Sequence, residues 1–415
     1  MTSPSRCSWF AAIAAGCCMP AVSLAQPKPG DVFREYRWRP DTTDAGGALR
    51  VGGREGYGGG AILLPHDVDV QHALNAEVVI EKLLCHDGTR GLAIQVNDHD
   101  WRTVPEAEGI PAPQCDYQHH TCAVVAVPLG DLHAGKGNGF RLRVSPEHPW
   151  KWPQNLIYGV HFRIYYDPLK KPHPSGRMTS PKPGEALGQS VQLRASASSP
   201  HGRIQQVDFL GLYEDANWEG DGRYRQWHYR SRRAALTGHL GTAVTEPYQV
   251  VWDTSWVPDQ RQPIRLAAWV VDETGLTCFT EAAGEWKLLR PGHAVELCKP
   301  YDVPKKWVTR SGEKEQKFQV AGDLGKAVAA RLLWSSWSPG YMNGIYVNSK
   351  KVFGREGPRY ACFTHCVPLD VRALVSGENV LRTGATPKYD GKTVHGMEVN
   401  WPGIMVLIQY RDSGR

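Results

Sequence analysis

One block of sequence is written twice in this chain. The run Cys122-x-x-x-x-Val127-Pro128-Leu129 is followed by Gly137-Asn138, Trp152-Pro153 and Ile164-Tyr165-Tyr166. The same succession returns as Cys362-x-x-x-x-Val367-Pro368-Leu369, Gly377-Glu378-Asn379, Trp401-Pro402 and Ile408-Gln409-Tyr410. A repeated block requires one structural unit to be built twice, with the intervening chain accommodated between the copies. The correspondence extends upstream, where Lys82-Leu83-Leu84 precedes Val96-Asn97 as Arg331-Leu332-Leu333 precedes Val347-Asn348. Each Asn falls where a hairpin turn follows a strand.

The repeated unit reads as β-structure. Glu77-Val78-Val79-Ile80, Leu92 to Val96, Ala123 to Val127, Phe140 to Val144 and Val160 to Tyr166 alternate or run apolar over short lengths between Gly, Pro and Asn. That is the pattern of sandwich strands. A content of 15 Trp, 43 Gly and 30 Pro in 415 residues suits short strands and many turns. Pro128 and Pro368 belong at strand ends, because proline donates nothing to a ladder. The Gly-rich piece from Gly52 to Gly60 lacks the GK[ST] ending of a phosphate loop and reads as a turn.

Composition changes abruptly between Asp167 and Gly184, which hold Pro168, Pro172, Pro174, Pro181 and Pro183 with Lys170 and Lys171. This reads as a stiff linker. Beyond it come Val191 to Ala195, Ile204 to Phe209, Pro247-Tyr248-Gln249-Val250-Val251-Trp252 and Leu266-Ala267-Ala268-Trp269-Val270-Val271-Asp272 with Gly275. Strands at this spacing suggest a sandwich of roughly seven strands. The last two runs also resemble the bacterial Ig-like domains of secreted, often polysaccharide-active, proteins, a resemblance that carries no catalytic residues. The Val-Asn turn, the Val-Pro-Leu strand exit and the Gly-(Glu)-Asn turn of the repeats resemble galactose-binding-like jelly rolls that accompany many glycoside hydrolases. The expected organisation is all-β, three β-sandwich domains after a signal peptide: 1–25 signal peptide, 26–168 jelly-roll-like, 169–184 linker, 178–290 Ig-like with an inserted loop 213–242, 291–306 linker and 307–412 jelly-roll-like.

The leader reading rests on Arg6, the apolar run from Trp9 to Val22 and Ser23-Leu24-Ala25 before Gln26, a small-x-small cleavage site. It predicts a secreted or periplasmic protein, and no later stretch approaches the length of a spanning helix. Of ten cysteines, Cys7, Cys17 and Cys18 fall in the leader, and Cys85, Cys115, Cys122, Cys278, Cys298, Cys362 and Cys366 remain. Their spacings favour staples or buried thiols over zinc, with Cys115 and Cys122 placed to close a loop. A net charge of +6 with interleaved acids and bases argues against nucleic acid as a partner.

Residues shared by the two copies are explained most simply by packing, so Trp152 and Trp401 read as core aromatics. Function is sought among the residues that differ. In the third domain Tyr389, Lys392, His395 and Glu398 recur at three-residue intervals, a set suited to acid/base chemistry beside a uronate or, more plainly, to a polar loop. His119-His120 read as exposed loop histidines, since neighbours in a strand face opposite ways. Trp101, Trp150, Trp218, Trp227 and Tyr229 are candidate sugar-stacking platforms. The insertion also carries Asp215, Asn217, Glu219 and Asp221 at alternate positions before Gly222, able to hold a structural calcium ion or to form a solvated acidic turn. No other cofactor is expected. No GxSxG, HExxH or P-loop occurs. The function expected is non-catalytic carbohydrate recognition, with a glycan as partner. The alternatives are a polysaccharide lyase or glycosidase, and an adhesion protein binding other proteins.

Overall fold

The computed structural model describes residues 26–43, 46–52, 62–63, 67–84, 91–145 and 153–411. The leader, the Gly-rich stretch from Gly53, Cys85, Trp150 and Trp152 lie outside the described residues. The protein is all-β, with antiparallel sheets facing one another around three apolar cores. No helix among the described residues is long and apolar enough to cross a membrane.

The two repeats share a strand order. In the first unit Val32–Trp38, Pro153–Tyr166, Ala73–Leu84 and His119–Val127 lie side by side, faced by Ile62–Leu63, Gly139–Arg143, Ala93–Val96 and Arg102–Thr103. In the last unit His293–Cys298, Met405–Arg411, Ala327–Trp337 and Cys362–Leu369 occupy the corresponding places, faced by Lys314–Val320, Gly377–Thr383, Ile345–Val347 and Lys350–Phe353. Val78, Ile80 and Phe162 meet Ile94, Phe140 and Leu142 in one core, and Leu332, Trp334 and Val406 meet Phe318, Ile345 and Leu381 in the other.

The repeat extends to its hydrogen bonds. Asn97 (φ +46°) and Asn348 (φ +47°) each open a tight turn in the left-handed region, with Asp98 and Ser349 following there. Asn97 Nδ2 donates to Asn138 Oδ1 at 2.6 Å, and Asn348 Nδ2 to Asn379 Oδ1 at 2.7 Å. Each first Asn also accepts the amide of the opposite strand, from Gly139 at 2.8 Å and Val380 at 3.0 Å. The second Asn of each pair is fully buried and closes its own loop by bonds to His133 and Lys136, or to Val375 and Gly377. These Val-Asn and Gly-(Glu)-Asn signatures are therefore one interlocked amide pair, present twice.

The strand register corrects one alignment. Val127 and Ile164 both pair with Ala76, while Val367 pairs with Leu332 and Ile408 with Ala330, so the counterpart of the stretch around Leu332 lies near Ala76 and not at Leu83. The proline-rich segments also differ from the expected linkers. Ser175–Ser180 pairs with Ser190–Ser198 of the middle unit, and His293–Cys298 pairs with Met405–Arg411 of the last. Proline at strand ends and edges leaves the ladder intact. Among the described residues no disulfide forms, and Cys115 and Cys122 both remain thiols.

The first and middle units share a sheet. Val32–Trp38 pairs with Pro153–Tyr166 on one side and with Leu276–Phe279 on the other, joining both units into an 11-stranded sheet. The middle unit closes its core with Ser175–Ser180, Ser190–Ser198 and Gln249–Asp253 on the facing side.

Candidate functional site

The insertion leaves the strand Ile204–Glu214, runs through an irregular stretch, and forms the hairpin Arg230–Arg232 with Ala235–Thr237. It lies between the outward faces of the two repeats. Alternation along Ala73–Leu84 sends Val78 and Ile80 into the core and turns Glu77, Val79 and Glu81 outward. There the hairpin covers them: Arg233 N donates to Glu81 Oε2 at 2.5 Å, Ser231 Oγ lies 3.3 Å from His161 Nδ1, and Cys122 Sγ faces Ser231 O at 3.7 Å. Gly159 permits this approach, since a Cβ there would stand 2.9 Å from Ala234 N. On the other side Ala216 and Trp218 pack on Val295, Leu333, Met405 and Leu407 of the last unit.

The glycines of the acidic stretch also serve this packing. Gly220 (φ +67°) sits where a Cβ would meet Trp401 O at 2.7 Å and His120 O at 3.3 Å. Gly222 (φ +81°) lies against Gly109, whose carbonyl oxygen would be 2.5 Å from an added Cβ. Only glycine combines that backbone angle with that proximity. The alternating Asp-Gly text is thus a consequence of threading the chain between two units.

A cavity of about 750 Å³ opens between the insertion and the first unit. Its sheet wall is Val79, Cys122, Val124 and Arg163, its rim is the loop Pro105–Glu108, and its insertion wall includes Glu219, Asp221, Gln226, Trp227 and Arg230. A smaller cavity of about 230 Å³ lies on the far side, bordered by Asp215, Trp218, His228 and Thr364, and it shares Glu219 and Arg230 with the first. The larger volume is in the range of small-ligand sites.

Burial dominates the electrostatics of this wall. It raises Glu219 to about 7 against the pull of Arg230, with Asp221 and Asp215 adding to the rise. It raises Asp215 to about 6 and Asp221 in the same direction. His228, stacked on Tyr213 at 3.8 Å, is lowered by burial to about 4 and is neutral at pH 7 beside Asp215, 3.7 Å away. The insertion wall carries two cations, Arg223, which pairs with Glu108, and Arg230, whose Nε and Nη1 are buried without an acceptor among the described residues.

Along the sheet wall Arg163 donates to Glu35 Oε1 at 2.6 Å and Glu77 Oε1 at 2.8 Å, and Tyr165 Oη donates to Glu77 at 2.7 Å. Burial opposes ionisation of Glu35, yet Arg163 and Arg37 hold it well below the usual carboxylate range. Burial leaves Glu77 raised despite Arg163.

The sequence-predicted residues fall in separate places. Trp227 lines the large cavity, edge-on to Phe279 at 5.3 Å. Tyr229 borders it too but is buried against Trp269, its hydroxyl donating to Pro27 O at 2.9 Å. Trp218 borders the small cavity, 6.0 Å from the Arg230 guanidinium. Trp101 lies beneath Arg143, 4.0 Å from its guanidinium, in the first unit's smaller sheet region. Asn217 borders a third, minor cavity with His120 and Trp401, apart from Asp221. No group of three or more His, Cys, Asp or Glu among the described residues is placed to hold a metal ion. His119 and His120 are buried, not exposed: His119 Nδ1 faces Tyr117 O at 2.9 Å and His120 Nε2 faces Glu81 at 3.0 Å. Trp401 packs across the unit boundary, edge-on to Tyr117 at 5.2 Å, rather than in a core. Tyr389 and His395 join one aromatic cluster through Tyr341 and Tyr360, with Lys392 exposed on the adjoining strand pair. Glu398 instead enters the sheet, pairing with Trp337. Arg163 and Arg230 were not singled out from sequence, because an outward strand position reads as solvated until something is known to cover it.

No protein-family profile matches the chain, and no curated protein matches it. Solved structures with some likeness include a glycoside hydrolase family 86 protein in complex with neoagarooctaose, 12% identical over 62% of this chain and 36% of that chain, with a TM-score of 0.24. The fibronectin(III)-like modules of Clostridium thermocellum are 16% identical over 46% of this chain and 78% of that one, TM-score 0.19. A DUF4785 family protein from Legionella pneumophila is 9% identical over 94% and 87%, TM-score 0.27. The chain spans little more than a third of the family 86 structure. Similarity at these scores assigns no family.

Proposed function

We propose that this is an exported carbohydrate-recognition protein of jelly roll, Ig-like, jelly roll organisation, and that its glycan lies in the cavity between the insertion and the first unit. The observation that carries the reading is the Arg230 guanidinium, with buried N–H groups lacking acceptors, in a wall that also presents carboxyl groups and indole rings. A sugar offers hydroxyls that both donate and accept, together with an apolar CH face. Glu219, Asp221 and Gln226 supply acceptors and donors, Arg230 supplies donors, and Trp227 supplies an apolar ring. Glu219 and Arg230 border both cavities, so the same two side chains face each of them.

A second reading, hydrolysis or elimination of the bound glycan, is favoured by Glu219, raised by burial to about 7 and so able to donate a proton near neutral pH. One experiment separates the two. Glycan-array binding followed by titration on the best binders should show a loss of at least tenfold in Trp227→Ala and Arg230→Met, with no new reducing ends or unsaturated products. Product formation abolished by Glu219→Gln would replace recognition by catalysis. Absence of glycan binding, or binding indifferent to both substitutions, would remove the reading altogether.

A further inference from the structure

We propose that a second site, on the last unit, binds the carboxylate or sulfate groups of an acidic polysaccharide through Arg355 and Arg359, presented on Tyr341, Tyr360 and Tyr389. Tyr341 is the hub: its ring lies edge-on to Tyr360 at 5.7 Å and Tyr389 at 5.6 Å, and its hydroxyl donates to Tyr360 Oη at 2.9 Å. The Arg355 guanidinium lies 4.7 Å from the Tyr389 ring centre and that of Arg359 4.3 Å from it. Among the described residues each is pinned by one hydrogen bond, Arg355 Nε to Met342 O at 2.8 Å and Arg359 Nη2 to Tyr389 Oη at 2.7 Å. A guanidinium has five N–H donors, so most of each fork remains available for a ligand.

Charge in the surrounding segments is unbalanced. Arg310, Lys388 and Lys392 are exposed with these arginines, against Glu356 and Asp390, and none of the five cations has a carboxylate partner among the described residues. His395, edge-on to Tyr360 at 5.9 Å, is lowered by burial and then by the positive charge of Arg310 and Arg50.

The backbone is also held in an uncommon conformation here. Ser338 (φ +52°) and Tyr360 (φ +55°) both occupy the left-handed region, which residues bearing a side chain disfavour. Tyr360 N donates to Ser338 Oγ at 2.8 Å and Ser338 N to Ala361 O at 2.9 Å, so the strained pair fixes itself and turns the Tyr360 ring onto Tyr341. Strain retained at an exposed aromatic and cationic surface is the arrangement expected of a preorganised binding site. A compact cluster with tyrosine hydroxyls among the cations fits spaced acidic groups separated by sugar hydroxyls. A polyphosphate backbone is followed by longer basic stripes.

The site is tested on the full chain with polygalacturonate, dextran sulfate and uncharged dextran at 0.15 M salt, near the physiological range. At least one acidic polymer should bind in preference to dextran, and the pair of acidic probes tells carboxylate from sulfate recognition. Arg355→Ala with Arg359→Ala should weaken that binding at least tenfold at unchanged thermal stability, while Trp227→Ala leaves it intact. Binding of neither acidic polymer, binding that survives the double substitution, binding lost in Trp227→Ala instead, or stronger retention of single-stranded DNA would each overturn it. The Trp227 arm also separates failure here from failure of the cavity reading.

Discussion

The outward faces of the two repeats differ although their strand order and paired asparagines are shared. On the first unit that face carries Glu77, Glu81, His120, His161 and Arg163, all buried beneath the insertion. On the last it carries Val295, Leu333, Met405 and Leu407, buried beneath the same insertion. In a strand, inward positions are constrained by the core, while outward positions are free to diverge. Here one copy has become a greasy dock and the other a charged wall beside a cavity. The insertion is fastened on its apolar side and lined for chemistry on its polar side.

Three substitutions probe that contrast. Arg163→Met should have the largest effect, about 4 kcal/mol, because it strands the buried Glu77 carboxylate without its cation and leaves Glu35 with Arg37 alone. Denaturant unfolding measures it, and a loss below about 1 kcal/mol would mean that the charged wall is solvated rather than buried. Combining Arg163→Met with Glu35→Gln and Glu77→Gln should recover much of the loss. Leu333→Ala on the apolar side should cost about 3 kcal/mol, the middle of the range for a buried leucine. Limited proteolysis of that variant should cut first within the insertion, and cleavage elsewhere would deny that this face is its anchor.

The smallest effect belongs to Glu219→Gln, on the order of 1 kcal/mol. The Glu219 carboxyl is raised from 4.5 to about 7, so the folded protein binds the proton more tightly than the unfolded chain does. Its contribution is fully present below about 4.5 and declines as pH rises toward about 7. The glutamine variant should flatten that decline in a series of thermal melts. An unchanged slope would place the titration elsewhere.

Much of the scaffold was readable in the residues themselves. The Val-Asn and Gly-(Glu)-Asn signatures carry turn chemistry that depends on local backbone angles, and local requirements leave local text. The insertion stood out by its length and composition. The register of Ala73–Leu84 was misjudged because Leu83-Leu84 resembles Leu332-Leu333 as text, whereas pairing is decided across the sheet. The proline-rich segments were read as linkers because prolines at strand edges look alike in sequence whether or not a partner strand is present. The site was only half legible: Trp227 and Glu219 lie in the insertion, but Arg163 belongs to Phe162-Arg163-Ile164, an alternation that any solvated strand would show. Its burial follows from a segment that joins it only in three dimensions.

The strand Val32–Trp38 has a consequence for the order of assembly. It is made early, yet one of its two neighbours, Leu276–Phe279, comes far later in the chain. Domains usually fold in the order in which they are synthesised. Here the first sandwich must keep one ladder edge open until the middle one arrives, exposing amides that invite the wrong partner. The seam joining the two units therefore closes late in the making of their common sheet, and it is the part most in need of protection while the chain is still incomplete.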